Sequence, residues 1–573
     1  MTRINLNVFL AAVALLTAVW HQATQADDLL KLVDGNAAAC LHVRGLTENI
    51  RKIEGSAFAD RLRSADVYKK WLASPEYQQL LSAGAMVSSV SGSPVRQTIE
   101  SLFGREFVVS LNLTTGAAPS GALIIKADGA TVESLLAGWD RIDKQDRTKR
   151  EASGKSYFTS RKAGSPNSLQ TFYVILDDAF AFSHDEAQIK RIIELSAEKN
   201  SRESLAGNAD FEPATWRRDK NEVVSVFVNP RAFDSLLQTG GDVPPFARSA
   251  WKRCRWLTLR GLFENDTLQF QLIADYDSQA APDWWSKQVG LQAERKLPLH
   301  QVPASALLTM SGHVASGSIR DLLKSATGDD DSMPKDVRQV RRVLAGLLLG
   351  ADPLDDLLPM LGPRWLFFSV PREPAESVTF PLDGLVAIEI QLGGTKTQQE
   401  QTKAGLENAL KAGLNALAAV HNAKTSGEIS VLKQRAGVES TIHWAEPVTL
   451  FRPAFAVTDR HLVLATTPEI CGAFVASEAQ AARGEAPRAD SREDSLANNN
   501  QLVVANSAEA RKLLETHSDW FIRRAKRDNI SKEEAARRLA ELKDALSLID
   551  RTWFCVSGDA DTLTATIGAS IEK

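Results

Sequence analysis

Apolar and polar positions follow the same order in two distant parts of this chain. Tyr173–Ser183 consist of an apolar run, a turn at Asp177 and a second apolar run, and a helix-like segment comes next. Phe455–Ala465 repeat this order around Asp459. Two apolar runs joined by a short polar turn are typical of a β-hairpin. The sequence therefore predicts an equivalent hairpin in each half of the chain.

Other segments match between the halves in the same order along the chain. The matched pairs are Val33–Ala37 with Val302–Ala306, Leu102–Val109 with Met360–Phe367, Gly121–Ile125 with Gly384–Ile388, Ser201–Asn208 with Ser491–Asn498, and Asp266 with Asp561. The spacing between partners varies, as insertions in surface loops would produce. This repetition predicts a duplicated domain.

The order of the elements predicts the fold class. Strands come in hairpin-like succession and are interrupted by amphipathic helices, which is typical of an α+β fold with mainly antiparallel sheets. We therefore expect two tandem related domains, each a mainly antiparallel sheet with packed helices. Their predicted bounds are 27–280 and 297–573, with a linker at 281–296.

Individual helices are predicted from apolar spacing and from their end signals. After matched strands, candidate helices span Ala130–Ile142 and Thr397–Ala418. Gly104 and Gly362 each precede a buried strand, and glycine commonly ends a helix, so we expect a helix to stop at both.

A capping box predicts one further helix near the C-terminus. Ser531–Glu534 have the Ser-x-x-Glu spacing of that motif and precede apolar residues at helical intervals. This helix belongs to the extended helical region Ala508–Asp550. The region is either a docking surface for a partner or a charged face in contact with solvent.

The N-terminal segment has the features of a secretory signal peptide. Arg3 supplies a positive charge, Val8–Val19 form an apolar core, and small residues lead to Ala26. We expect cleavage near Ala26, which makes residues 1–26 a signal peptide and the mature protein periplasmic or extracellular. The alternative is an uncleaved membrane anchor over Ile4–Ala26, a length that can span a bilayer.

Composition excludes some classes of protein. The chain is 44% hydrophobic and 24% charged, which is ordinary for a globular protein. Its 67 basic and 71 acidic residues lack the positive excess of a nucleic-acid binder. The four cysteines, Cys40, Cys254, Cys471 and Cys555, have no metal-ligand spacing. They allow three disulfide connectivities, but we interpret them as buried free thiols.

Two motifs resemble catalytic or phosphate-binding sites but fit structural roles better. Gly154-Lys155-Ser156 resembles the end of a phosphate-binding loop, yet the required earlier glycine is Lys149 and a strand is predicted to follow. His184-Asp185-Glu186 resembles an acid–base cluster. Because Thr466-Thr467-Pro468 stand at the matching place in the second half, we interpret this position as a helix cap.

The remaining candidate sites also have simple structural interpretations. Asp329-Asp330-Asp331 lacks the spacing of a calcium loop and is interpreted as a solvated acidic turn. Asn112–Thr114 fits a glycosylation acceptor, which is a weak pattern. The aromatic pairs Trp284-Trp285 and Trp553-Phe554 could stack on sugars, but core or interdomain packing is the simpler use.

Several of these segments together resemble a known group of proteins. They are the strand Asn36–Val43, the hairpin Tyr173–Ser183, the helix Asp185–Leu195 and the loop Ser204–Asn208. The group is an uncharacterised family of exported bacterial proteins, known from planctomycetes and cyanobacteria as a domain of unknown function. The resemblance implies export and a repeated α+β fold, and it brings no catalytic residues with it.

The sequence favours an exported, non-catalytic protein with a binding or structural role in the bacterial envelope or outside the cell. No catalytic residue, metal ligand or cofactor site is predicted, and the expected partner is an unknown protein or envelope component, not a nucleic acid. A membrane contact is expected only if the N-terminal segment stays uncleaved. The alternatives are an envelope hydrolase with a site between the repeats and a membrane-tethered assembly factor.

Overall fold

A computed structural model describes most of the 573 residues. The described residues are 29–113, 118–142, 144–164, 169–197, 202–208, 221–235, 248, 251–276, 296–314, 317, 342, 346, 358–373, 380–393, 395–424, 429–436, 440–446, 452–483, 496–527, 530–558 and 562–571. The predicted signal peptide, the linker up to residue 295, Asp561 and the Asp329–Asp331 turn lie outside them.

The chain folds into two compact units. The first unit contains Met1–Asp277 together with Asp561–Lys573, and the second contains Ser278–Ala560. The first division point is close to the predicted end of the first repeat at residue 280. The second repeat was predicted to span residues 297–573, but the C-terminal segment Asp561–Lys573 groups with the first unit.

Twenty strands are described, and their alternating apolar positions account for most of them. They are β1 (Ala39–Arg44), β2 (Glu106–Asn112), β3 (Ser120–Ile125), β4 (Gln145–Ala152), β5 (Lys155–Lys162), β6 (Thr171–Ile175), β7 (Phe180–Ser183), β8 (Glu222–Val228), β9 (Cys254–Glu264), β10 (Thr267–Tyr276), β11 (Leu308–His313), β12 (Leu361–Pro371), β13 (Leu382–Ile390), β14 (Ser430–Ala436), β15 (Ser440–Glu446), β16 (Ala454–Val457), β17 (His461–Ala465), β18 (Gln501–Asn506), β19 (Arg551–Gly558) and β20 (Thr562–Ser570).

All the described strand pairs are antiparallel. In the first unit the order is β4–β5–β6–β7–β3–β2–β1–β8–β9–β10–β20. In the second unit it is β14–β15–β16–β17–β13–β12–β11–β18–β19. The second order matches the first nine strands of the first order one by one. Asp177 lies between β6 and β7, and Asp459 lies between β16 and β17.

Twelve α-helices are described, so the fold is mixed α+β, as expected. They are α1 (Leu46–Glu54), α2 (Ala57–Ser64), α3 (Asp66–Leu72), α4 (Pro75–Ser91), α5 (Val95–Phe103), α6 (Gly129–Ile142), α7 (Glu186–Leu195), α8 (Lys396–Lys424), α9 (Pro468–Ala482), α10 (Ser507–Thr516), α11 (Ser518–Arg527) and α12 (Lys532–Leu546). Within the described residues, no helix combines the length and the apolar character needed to cross a membrane.

Helix end signals were predicted correctly in most places. Gly104 follows the last residue of α5, and the Ser531 hydroxyl accepts from Glu534 N (3.2 Å) at the start of α12. The prediction for Gly362 was wrong, because this glycine lies inside β12. A Cβ at Gly362 would lie 2.7 Å from Cγ of Glu389, so close packing of two strands requires glycine here.

The sheet of the first unit has a hydrophobic core on each face. Val108 and Val174 belong to a core that includes residues of α7. Phe107 and Ile125 belong to a second core, which α1, α5 and α6 complete. Neighbouring residues such as Phe107 and Val108 point to opposite faces of a strand, so both faces of this part of the sheet are covered.

Candidate apolar binding face

The motif that resembled a phosphate-binding loop is a hairpin turn. Ser153 and Gly154 have φ values of 47° and 77° and connect β4 to β5, while Lys155 and Ser156 are the first residues of β5. Two consecutive positive φ angles are typical of a type I′ turn, which favours a tight hairpin. The strand interpretation is confirmed.

His184-Asp185-Glu186 forms a helix cap, as expected. The Asp185 carboxylate accepts from Ala187 N (2.9 Å) at the first turn of α7. Tyr157 donates its hydroxyl proton to Glu186 (2.5 Å), and with Lys190 and Arg150 it lowers the pKa of that carboxyl to about 2. Glu186 therefore stays ionised at neutral pH and anchors α7 to β5 instead of donating protons.

Asp177 and Asp459 lie in equivalent turns, and each turn contains an aspartate near a lysine. Asp459 forms an ion pair with Lys403 (2.6 Å), whereas Asp178 in the first hairpin lies 3.8 Å from Lys126. In the second hairpin Thr458 Oγ1 is a local acceptor that the sequence analysis missed. It accepts from Arg460 N (3.2 Å) and His461 N (2.9 Å).

All four cysteines are buried and free, as expected. Burial raises the pKa of Cys254 to about 11 and that of Cys471 to about 12, so both thiols stay protonated at neutral pH and are poor nucleophiles. Within the described residues, no group of three or more His, Cys, Asp or Glu side chains could hold a metal ion.

The remaining sequence candidates separate into buried and surface positions. Trp553 is buried in a core of the second unit, whereas its neighbour Phe554 is exposed, so the two rings do not form one stacking platform. Asn112 Nδ2 donates to Gln188 Oε1 (2.7 Å). Thr114, Trp284 and Trp285 lie outside the described residues.

The structure brings together a buried histidine–glutamate pair that the sequence did not suggest. His42 Nε2 lies 2.7 Å from Glu106 Oε1, and the side chains are 1% and 0% exposed. Leu29 N also donates to Glu106 Oε1 (3.3 Å). Such burial leaves no access for a dissolved substrate, so this pair holds β1 against β2 and is not a reactive site.

An apolar row crosses ten of the eleven strands of the first unit's sheet and ends beside Lys149 on β4. Residues directly opposite one another on antiparallel strands point to the same face. Across ten strands, the positions of this row are Phe158, Tyr173, Phe182, Leu123, Val109, Leu41, Val226, Leu259, Leu272 and Ala565. No charged residue interrupts it.

Helices cover only part of this side of the sheet. Five large apolar side chains on this side of the sheet are between 40% and 58% exposed. They are Val109, Leu259, Phe270, Leu272 and Ile567. We call these five residues the apolar face. Leu259 stands opposite Leu272, and Phe270 stands opposite Ile567, so four of them form one cluster over β9, β10 and β20.

The other side of the same three strands is buried and carries polar residues next to Trp256 and Leu262. Thr258, Arg260 and Thr566 are less than 9% exposed. An antiparallel sheet normally places its apolar residues in the core and its polar residues in solvent. Here large apolar side chains are exposed while polar side chains of the same strands are buried, which marks the apolar face as a surface suited to contact with another molecule.

The second unit has a corresponding row. It passes through Phe455, Leu464, Val386, Phe367, Met310, Val503 and Phe554. Helix α8 covers the end of the sheet near Phe455, where Leu406 packs. Leu464 and Phe554 are exposed by 40% and 39%. Both units thus expose apolar side chains on the same side of the same strand order.

Comparison with known proteins gives little further information. No family model and no curated protein matches the chain. Matches were found to crystal forms III and I of a protein named TP0453, with identities of 12% and 10% and TM-scores of 0.25 and 0.24. Each covers 48% of this chain, and they cover 88% and 89% of the other protein. Similarity this weak carries no argument about fold or function.

Proposed function

We propose that this protein is a non-catalytic binding protein built from two tandem related domains. The matching strand orders of the two units support the relation between the domains. Equivalent hairpins at Asp177 and Asp459 and equivalent helices after β3 and β13 add to it. A binding role rests on one observation, which is the apolar face.

The size of the apolar face favours a binding role. With ~150–200 Å² for a fully exposed large apolar side chain, its five residues expose on the order of 400 Å². The largest patch on a typical monomer is ~300–600 Å² and is often functional. A standard protein–protein interface buries ~800 Å² from each partner, about twice the area of this face. The face therefore suits a small ligand better than a second copy of the chain.

The chemistry of the face indicates an aliphatic ligand. Its side chains offer no hydrogen bond and no charge, and the backbone groups of β9 and β10 pair with neighbouring strands. A ligand with polar groups along its length would lose hydrogen bonds to water without replacing them. A hydrocarbon chain loses none, and each buried CH₂ group contributes ~0.8 kcal/mol.

A charge placed on the face tests this proposal. We expect the full chain to bind palmitate, measured by displacement of the apolar dye 8-anilinonaphthalene-1-sulfonate, and Leu272→Glu to weaken palmitate binding about tenfold or more. The matched control is Leu542→Glu on α12, where the leucine is 49% exposed, similar to the 44% of Leu272. Equal palmitate affinity in the two variants, or no palmitate binding by the unaltered chain, would refute the aliphatic-ligand proposal.

We further propose that the protein acts outside the cytoplasm, in the envelope or beyond the cell. The charge and apolar pattern of residues 1–26 supports this. N-terminal sequencing of protein recovered from the producing cells should give Asp27 as the first residue. A chain that begins at Met1 or Thr2 and fractionates with membranes would support an anchor instead.

A further inference from the structure

We propose that a hydroxyl-lined cleft in the first unit is a second binding site, for a small neutral polyhydroxylated ligand such as a sugar ring. The cleft has a volume of about 350 Å³. It lies among the end of α4, the length of α5 and the first two turns of α6. The volume falls at the lower end of the range for small-molecule sites, ~300–1,000 Å³.

Polar groups without charge dominate the wall of the cleft. Six of the lining residues carry hydroxyl groups and one carries an amide, namely Ser91, Ser93, Thr98, Ser101, Thr131, Ser134 and Gln97. Leu102, Leu135 and Ala130 supply a small apolar part. No lining residue is charged. A neutral ligand with both polar and apolar surface matches this lining.

Several hydroxyl groups are held in place by bonds inside the protein. Thr98 Oγ1 donates to Ser91 Oγ (2.7 Å), and Ser91 Oγ donates to Ser93 O (3.1 Å). Ser101 Oγ donates to Thr98 O (2.9 Å), and Thr131 Oγ1 donates to Asp128 Oδ2 (2.8 Å). Because these four protons are used, none of these hydroxyl groups can donate to a ligand. Ser91 Oγ also accepts from both Thr98 Oγ1 and Ser93 N (3.3 Å), so only the oxygens of Thr98, Ser101 and Thr131 keep lone pairs for a ligand.

Other groups in the cleft remain available as donors. Within the described part of the chain, the side chains of Gln97, Ser93 and Ser134 make no hydrogen bond to the protein. The cleft thus offers fixed acceptors and free donors together. A sugar hydroxyl both donates and accepts, so it satisfies both sets. A carboxylate has no proton to give the fixed acceptors, and phosphate brings a negative charge that no lining residue balances.

The charge at the start of α6 also disfavours an anion. The amides at a helix N-terminus attract negative ligands. Asp128 already lies there, and its carboxylate accepts from Thr131 N (2.8 Å). Hydrogen bonds from Thr131 lower the pKa of Asp128, so the carboxylate is ionised at neutral pH and would repel an anion in the cleft.

An exposed aromatic side chain extends the same face of α6. Trp139 follows Leu135 by four residues, so it lies one helical turn beyond the cleft on the same face of the helix. Its side chain is 46% exposed. A ring at the edge of a hydroxyl-lined cleft can cover the apolar face of a sugar ring.

The test uses the full chain and three neutral sugars. We expect saturation-transfer NMR to detect binding of D-glucose, D-galactose or N-acetyl-D-glucosamine, and inorganic phosphate not to displace the sugar. Gln97→Leu should weaken sugar binding about fivefold or more, because it removes a hydrogen-bond donor to the sugar. The Gln97 amide has no hydrogen-bond partner in the described part of the protein, so its removal leaves no protein group unpaired. Gln79→Leu, an exposed glutamine on α4 outside the cleft, is the matched control and should bind as the unaltered chain does.

Trp139→Leu gives an independent measurement. This exposed substitution should leave thermal unfolding almost unchanged while it weakens sugar binding. Failure of all three sugars to receive saturation would overturn the proposal. So would displacement of the sugar by phosphate, or equal sugar affinities in the Gln97→Leu and Gln79→Leu variants.

Discussion

At the scale of single residues, the side of the sheet decides what a substitution does. Val174 is fully buried beside α7, whereas Val109 is 40% exposed in the apolar face. Val174→Asp places an unpaired charge in a core, so we expect a loss of more than ~4 kcal/mol in the free energy of unfolding, or no folded protein. Val109→Asp should cost less than ~1 kcal/mol. Urea unfolding of both variants measures the difference.

These two variants control for each other, because the change of side chain is the same. Val109→Asp should also weaken palmitate binding, which Val174→Asp cannot test if it fails to fold. Equal losses of stability would show that the apolar face is covered in the folded protein, and the binding role proposed for it would lose its support.

The buried polar residues at one place in the sheet differ between the two units. His42, Ser225 and Arg260 stand side by side on β1, β8 and β9. At the matching register positions of the second unit the residues are Ser311, Leu502 and Cys555. The strand order therefore does not require the polar residues found here in the first unit. Buried charge seldom adds stability over apolar packing, so Arg260 makes this part of the first unit chemically different without being needed for the fold.

At the scale of elements, local chemistry explains which predictions succeeded. The caps at Asp185 and Ser531 were predictable because each depends on a side chain and a backbone amide only a few residues away. The hairpins around Asp177 and Asp459 depend on short turns in the same way. Gly362 misled the analysis because its need for glycine comes from Glu389 on the next strand, and such a contact is absent from a local pattern.

The candidate site could not be predicted from the sequence for a related reason. Alternation in β10 and β20 shows that each strand has an apolar side and a polar side, but not which side meets water. The usual assumption buries the apolar side. Phe270 and Ile567 are nevertheless exposed, while Thr566 is buried, because the helices cover only part of the apolar side. The positions of those helices depend on contacts between distant residues.

At the scale of the whole molecule, the last strand belongs with the first half of the chain. Strand β20 pairs with β10 from Thr267–Ser570 to Asp275–Thr562. Thr267 and Thr562 hold the same place in the two matched segments, and so do Asp275 and Ser570. Strand β20 therefore pairs with the segment of the first half that it matches in sequence.

Removal of residues 562–573 tests the importance of this strand. The deletion leaves the backbone groups along one side of β10 without partners and removes Ile567 from the apolar face. We expect amide hydrogen exchange in β10 to become faster and the protein to aggregate more readily, because an unpaired flat edge recruits other strands.

Ile567→Thr is the matched control for this deletion, since it removes the same apolar side chain but keeps the backbone pairing. It should weaken palmitate binding without faster exchange in β10. If exchange in β10 is the same in the deletion and in Ile567→Thr, then β20 contributes side chains only, and the first unit is complete without the end of the chain.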